Sequence, residues 1–229
     1  MIRLYYADVS AFTDAETLRC CAESISDTRR EKAYRYLRPM DRALCIGAGM
    51  LLDTGLREYG ISEKTAAIVL REGGKPYLAD RPDIRFNLSH SGSMAIACFS
   101  QSEVGCDIEK LGVFDADFTR KIFLPEEADA VCASKDPQKA FYRFWTLKES
   151  FMKVTGLGLS LPPGAFAVSI SGTDIHVRQH VSDRTYRFFL PELIDGYACA
   201  VCAEGEESGI VTQSVSLISE GIIDNETVS

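Results

Sequence analysis

The 229 residues are enough for one large domain or two small ones, each with its own core. An apolar content of 46% beside 25% charged residues is that of a globular protein, and no run of about 18 apolar residues is present to span a membrane. The net charge of −8 excludes a general nucleic-acid binder.

The opening MIRLYYADVSAF carries Asp8 and no extended apolar run, so it reads as a first strand and not as a signal peptide. Cytoplasm is the expected location. Residues 14–37 read as a helix with Asp14 as N-cap, and Pro39 breaks it. This stretch includes a basic segment, with Arg29, Arg30, Lys32, Arg35, Arg38 and Arg42 against Glu31 and Asp41. Such a segment either receives an anion or is a solvated helix face. DRALCIGAGMLLDTGLREYG starts a second helix that ends near Gly60.

TAAIVL reads as a strand and EGGKP as a turn, followed by three strands, DIRFNLS, SMAIACFS and EVGCDIE. A helical region follows at 115–133, then a long helix with Asp136 as N-cap, Pro137 at its first position and Gly156 past its end. AFAVSI, DIHVRQH, TYRFFL and YACAVCA alternate as antiparallel strands. The expected fold class is α+β, built as two similar α/β halves in a pseudo-twofold arrangement with a ligand cleft between them. The halves are 1–103 and 104–204, and 205–229 is an acidic, flexible tail with no aromatic or basic residue. The eight cysteines sit among apolar neighbours, where reduced thiols serve as small core residues.

Three stretches carry chemistry. In VGCDIEK, strand alternation places Asp107 and Glu109 on one side. Two adjacent carboxylates either decorate a wet strand edge or hold a hard cation such as Mg²⁺. In FWTLKESFMKV, Phe144, Leu147, Phe151 and Val154 form an apolar stripe, while Glu149 and Lys153 share another face beside Trp145 and Met152. That pair is either an exposed i,i+4 ion pair or part of a cleft wall. In RFNLSHSG, Asn87, Ser89 and Ser91 alternate with Phe86 and Leu88, and His90 precedes Gly92. No G-x-S-x-G elbow surrounds Ser89, so phosphate binding suits the stretch better than hydrolase chemistry.

Together GGKPYL, FNLSHSG, VGCDIEK and FWTLKESFMKVTGLGLSLP, over roughly residues 73–163, resemble the Sfp-type 4′-phosphopantetheinyl transferases in order and spacing. Cys106 departs from the family's usual branched aliphatic residue. The resemblance implies an enzyme that moves the 4′-phosphopantetheine arm of coenzyme A onto a serine of an apo acyl or peptidyl carrier protein, releasing 3′,5′-ADP. It implies a Mg²⁺ ion, replaceable by Mn²⁺, on Asp107, Glu109 and Glu149. It puts the adenine of coenzyme A at Gly74–Lys75–Pro76, and the 3′-phosphate at Lys75, His90 and a basic site drawn from Arg29, Lys32 and Arg35. Ser89, His90, Lys148 and Lys153 supply further phosphate contacts. Glu149 is the implied base, and Lys153 neutralises or protonates the leaving group. The implied partner is an acidic helical carrier domain, for which Phe118, Ile122, Phe123 and Leu124 are either contacts or simply core residues, and the enzyme is expected to act as a monomer. The competing readings are a metal-dependent coenzyme A pyrophosphohydrolase and a non-catalytic coenzyme A- or carrier-binding module.

Overall fold

The computed structural model of the chain describes residues 1–12 and 14–218. Its elements run β1 (Ile2–Asp8), α1 (Ala15–Glu23), α2 (Asp27–Arg35), α3 (Pro39–Arg57), β2 (Ile68–Leu70), β3 (Pro76–Leu78), β4 (Arg85–Ser91), β5 (Met94–Ser100) and β6 (Val104–Lys110). There follow α4 (Ala116–Ile122), α5 (Pro125–Cys132), α6 (Pro137–Thr155), β7 (Ala167–Ser171), β8 (Asp174–Arg178), β9 (Tyr186–Phe189), β10 (Tyr197–Glu204) and β11 (Ile210–Ser214). None of the described helices is long and apolar enough to cross a membrane.

Alternation sets the layers. In β5 one face (Ala95, Ala97, Phe99) joins the core under α3, and the other (Met94, Ile96, Cys98) packs on the second sheet. In β6 the residues Val104, Cys106 and Ile108 enter that same inter-sheet core, which turns Gly105, Asp107 and Glu109 towards α6. The result is mixed α+β, with two halves alike in build. A 19-residue helix, α3, covers the sheet β11-β1-β5-β4, and a second 19-residue helix, α6, covers the sheet β6-β10-β9. β4 and β6, each an outer strand of its sheet, lie side by side at the seam.

Several local expectations need correcting. The helix expected over 14–37 is two helices, because Ser26 caps α2 and is itself fixed by Glu63, which accepts from Ser26 N at 2.6 Å and Oγ at 2.9 Å. Pro39 opens α3 at its first turn, where its missing N–H is not needed. Only Ile68–Leu70 of TAAIVL pairs as a strand, and 115–133 is two helices with Pro125 opening the second. The tail expected from residue 205 onwards is ordered at its start. Ile210–Ser214 pairs in parallel with β1, covering what would be an open sheet edge, and Val215 and Leu217 enter the core. Glu207 accepts from Ser100 Oγ at 2.6 Å. Residues 219–229 of that tail lie outside the described residues.

α6 follows its sequence signals. Asp136 accepts from Lys139 N–H, Pro137 stands in the first turn and Gly156 ends the helix in a left-handed conformation. The expected stripe of Phe144, Leu147, Phe151 and Val154 is buried. Lys148, expected on phosphate, is instead inside this core. Its ammonium pairs with Glu127 at 2.7 Å, donates to the carbonyls of Pro163 and Phe166, and lies 4.4 Å from the Phe166 ring centre. The physical reason is its position next to Leu147, on the flank of the apolar stripe. Phe123, expected on the carrier-facing surface, is core as well, stacked on Phe141.

Since Lys148 and Glu127 are both buried, removing one leaves an uncompensated charge. Lys148→Ala is expected to lower unfolding free energy by about 3–5 kcal/mol in urea titration. A loss within experimental error would show that the pair is not buried as described.

Candidate active site

α6 reaches β6 because position 105 is glycine. A Cβ there would sit 2.3 Å from Ser150 O and 2.4 Å from Val154 N, so any side chain would push the helix off the strand. The close approach sets Glu149 and Lys153, one turn apart on α6, over Asp107 and Glu109 of β6. Lys153 Nζ pairs with Asp107 Oδ1 at 2.6 Å and donates to Ser89 Oγ at 3.0 Å, and Ser89 Oγ donates to the same Asp107 oxygen at 2.8 Å. Asp107 Oδ2 is buried with no hydrogen-bond partner among the described residues.

Charge repulsion marks the other two acids. Burial, and then the neighbouring Asp107 charge, hold the Glu149 carboxyl above the usual carboxylate range, with Lys153 acting the other way. Glu109 is raised first by burial, against a hydrogen bond from Ser91, and then by Asp107. Its carboxylate accepts from Ser91 Oγ at 2.6 Å. Desolvation pulls Lys153 down, but Asp107, Cys106 and Glu149 together outweigh it and the ammonium is held above its ordinary value. Glu109 and Glu149 both lie within reach of the Asp107 charge. The oxygens of the three acids do not close on a common point, because Lys153 takes Asp107 Oδ1. No group of three or more His, Cys, Asp or Glu among the described residues is arranged to hold an ion.

A cleft of about 210 Å³ lies beside Lys153, lined by Gly74, Lys75, Pro76, Leu88 and Met152 among others. Its wall is tight, since a Cβ on Gly73 would meet Gly156 O at 1.8 Å. Larger grooves, of about 760, 680, 650 and 310 Å³, are lined by none of the three acids. Lys75 lines the small cleft but does not present its ammonium to it. Nζ is buried, pairing with Glu103 at 2.8 Å and donating to Val104 O at 3.0 Å and Val154 O at 3.2 Å. Arg29 is likewise engaged, its Nε on Glu63 Oε1 at 2.8 Å. Both corrections have one cause: a buried cation takes the nearest acid, here one that sequence spacing does not reveal. Lys32 and Arg35 are exposed. His90 is exposed at the end of β4, and its pKa is lowered first by desolvation, then by Lys153 and, more weakly, by Lys32. Ser91, Trp145, Glu103 and Glu127 carry contacts that their motifs do not single out; only the Ser91 contact had a sequence signal, the Asn87-Ser89-Ser91 alternation.

Residues 103–202 match the family described as the 4′-phosphopantetheinyl transferase superfamily. The 4′-phosphopantetheinyl transferase Sfp of Bacillus subtilis (strain 168) is 34% identical over 190 residues, covering 78% of this chain and 82% of its own. A second 4′-phosphopantetheinyl transferase of Bacillus subtilis is 33% identical over 190 residues, covering 79% of this chain and 82% of its own. The 4′-phosphopantetheinyl transferase gsp of Aneurinibacillus migulanus is 25% identical over 207 residues, covering 89% and 86%. The chain belongs to the 4′-phosphopantetheinyl transferases, and within them to the Sfp type. It is a transferase, and the group it moves to carrier proteins is phosphopantetheine.

Glu149→Gln keeps the side-chain shape and removes a repelled charge. A carboxyl with a raised native pKa favours the native state only while protonated. Its ionised form costs stability above the native value and nothing below the unfolded value of about 4.3. In metal-free buffer near pH 7 the variant is expected to melt above wild type, with the gap closing as pH falls through the raised native value and gone below about 4.3. A lower melting temperature for the variant at neutral pH would contradict the placement of Glu149.

Proposed function

We propose that the transfer runs at the seam between residues 1–103 and 104–204, with coenzyme A in the cleft and Asp107, Glu109 and Glu149 around its pyrophosphate. The observation that carries this reading is Asp107 of β6 paired with Lys153 of α6 and Ser89 of β4 at the edge of the Gly74–Pro76 cleft, with Glu109 and Glu149 near enough for its charge to raise both. The donor set fits Mg²⁺, or Mn²⁺ in its place: three hard carboxylates, with Asp107 Oδ2 buried and unpartnered. When bound there, the cation neutralises the pyrophosphate and polarises it as a Lewis acid.

The chain's own residues do the rest. The Gly74–Lys75–Pro76 turn seats the adenine through its backbone, since the Lys75 ammonium is engaged elsewhere. Ser89, His90 and Lys153 meet the phosphates, and Lys32 and Arg35 meet the 3′-phosphate. The carrier serine Oγ attacks the β-phosphorus of coenzyme A. The bond from that phosphorus to the bridging oxygen breaks, and 3′,5′-ADP leaves with the bond pair. Glu149, to which nothing among the described residues hydrogen-bonds, takes the serine proton. The raised pKa of Lys153 makes it a poor proton donor, so its part is to neutralise charge on the leaving oxygen. Positioning and charge neutralisation are what this class of displacement needs.

The acceptor in this reading is an acidic helical carrier domain. It docks past β6, where Val113 is 92% and Phe118 46% exposed, and Ile122 and Leu124 flank the core residue Phe123. Both halves of one chain furnish the site, so a monomer suffices. All eight cysteines are free, which suits a reducing cytoplasm.

The direct test is to incubate the protein with coenzyme A, Mg²⁺ and several apo-carriers and weigh the products. One phosphopantetheine added to the carrier serine is expected, whereas phosphopantetheine released to water without an acceptor would make the protein a pyrophosphohydrolase. Asp107→Ala should abolish transfer, and Glu149→Gln should slow turnover by about 10²–10⁴-fold. Near-normal rates for either at saturating Mg²⁺ would remove these assignments. Lys153→Ala should cut kcat by about 10²–10³-fold while moving the KM for coenzyme A far less; the opposite split would make it a binding residue only.

A further inference from the structure

We propose that Ser91 is a positioning residue for Glu109, so that strand β4 of one half sets a carboxylate carried by the other. The inference rests on the reading that Asp107, Glu109 and Glu149 hold a divalent cation. β4 and β6 lie side by side but belong to different sheets. Their tie is a row of hydrogen bonds from every second residue of β4, the two serines meeting acids two residues apart on β6. Asn87 Oδ1 accepts from Cys106 N at 3.0 Å, Ser89 Oγ donates to Asp107 at 2.8 Å, and Ser91 Oγ donates to Glu109 Oε2 at 2.6 Å. The steps match because both strands repeat every second residue, which keeps the hydroxyls of one opposite the acids of the other.

The direction of the Ser91 bond is fixed by a second contact. Lys110 N–H donates to Ser91 Oγ at 3.1 Å, so the single hydroxyl proton is left for Glu109. A hydrogen bond to an ionised acceptor at this length is of the strong kind. Asp107 has two partners on one oxygen, Lys153 and Ser89, and is buried, so it is held whatever happens at Ser91. Glu109 is a longer side chain, half-exposed, repelled by Asp107 and tied by the hydrogen bond from Ser91. Without the hydroxyl, the carboxylate is free to turn away from its like-charged neighbour. Ser91 is half-exposed at the end of β4, outside the three apolar cores, so its effect falls on Glu109 and not on packing.

The test is Mn²⁺ titrated into metal-free protein without coenzyme A, read by the electron paramagnetic resonance of free Mn²⁺. Ser91→Ala is expected to weaken Mn²⁺ binding about 10-fold or more, the usual loss for a side chain that orients a metal ligand. Ser91→Thr keeps the hydroxyl on a strand-compatible residue and should bind like wild type. On a Glu109→Gln background, Ser91→Ala should add no further loss, since its action runs through that carboxylate. This comparison also covers a drop in melting temperature of the single variant. Equal weakening in the Ala and Thr variants, or a full further loss on the Glu109→Gln background, overturns the proposal. Asp107→Ala run alongside separates the two claims. If it loses Mn²⁺ while Ser91→Ala binds like wild type, only the role of Ser91 fails. If both bind like wild type, the cation site itself is wrong and the proposal falls with it.

Discussion

Burying a carboxylate under a helix at the seam costs several kcal/mol unless a countercharge and donors go with it. Asp107 meets that condition through Lys153 and Ser89, one from α6 and one from β4. The Ser89 hydrogen bond therefore ties this ion pair of one half to the other half. It also fixes the order of constraints. Gly105 must be bare for the helix to come close, β6 must alternate for Asp107 to face it, and β4 must run alongside to bring its hydroxyls. A buried ion pair is weak evidence for stability, and its better-attested use is to specify one arrangement over others. Here the specified arrangement is the seam.

Three lysines show how charge of one kind is put to different uses. Lys153 sits at the seam with an acid and a hydroxyl. Lys148, five residues earlier, lies about 140° away round the helix and faces the core. Lys75 belongs to the cleft turn by its backbone, yet its ammonium ties that turn to the start of β6 and the end of α6. The two inward lysines are pulled below their ordinary pKa, chiefly by burial, while Lys153 is pushed above it because Asp107 and the neighbouring Cys106 and Glu149 together outweigh the same effect. Each of the three has an acid at hydrogen-bond distance, so the sign is decided by the sum of the surrounding charges against burial and not by one partner.

Much of this was legible in the sequence because it is local. The caps of α6, its apolar stripe, the shared side of Asp107 and Glu109, and the Asn87-Ser89-Ser91 alternation all follow from periods of 3.6 and 2. Lys148 could have been assigned from the same wheel, since it adjoins Leu147. What stayed hidden depends on distant partners. Glu127 precedes Lys148 by a whole helix, Glu103 follows Lys75 by three strands, and Glu63 meets Arg29 across α3. The break at Ser26 was missed for the same reason, because Glu63 fixes that cap from outside the helix. β11 was missed because its strand signal is short and its partner is β1, at the other end of the chain.

The acids of the site work against the fold that carries them. Glu109 and Glu149 are raised by burial and by Asp107, so at neutral pH each ionised group costs stability. Replacing them by neutral residues would relieve that cost, and a cation or a proton bound there relieves it too. Neither sheet alone can hold the three acids against one another: β6 lacks donors of its own for Asp107 and Glu109, and β4 supplies them. In the proposed reading the chemistry therefore belongs to the seam and to neither half. It is also why the apolar core between the sheets matters to function. Ile96 and Cys98 on one side, with Val104 and Cys106 on the other, set the spacing at which a serine hydroxyl reaches a carboxylate. A change in that packing would be felt first as a lost hydrogen bond to Asp107 or Glu109.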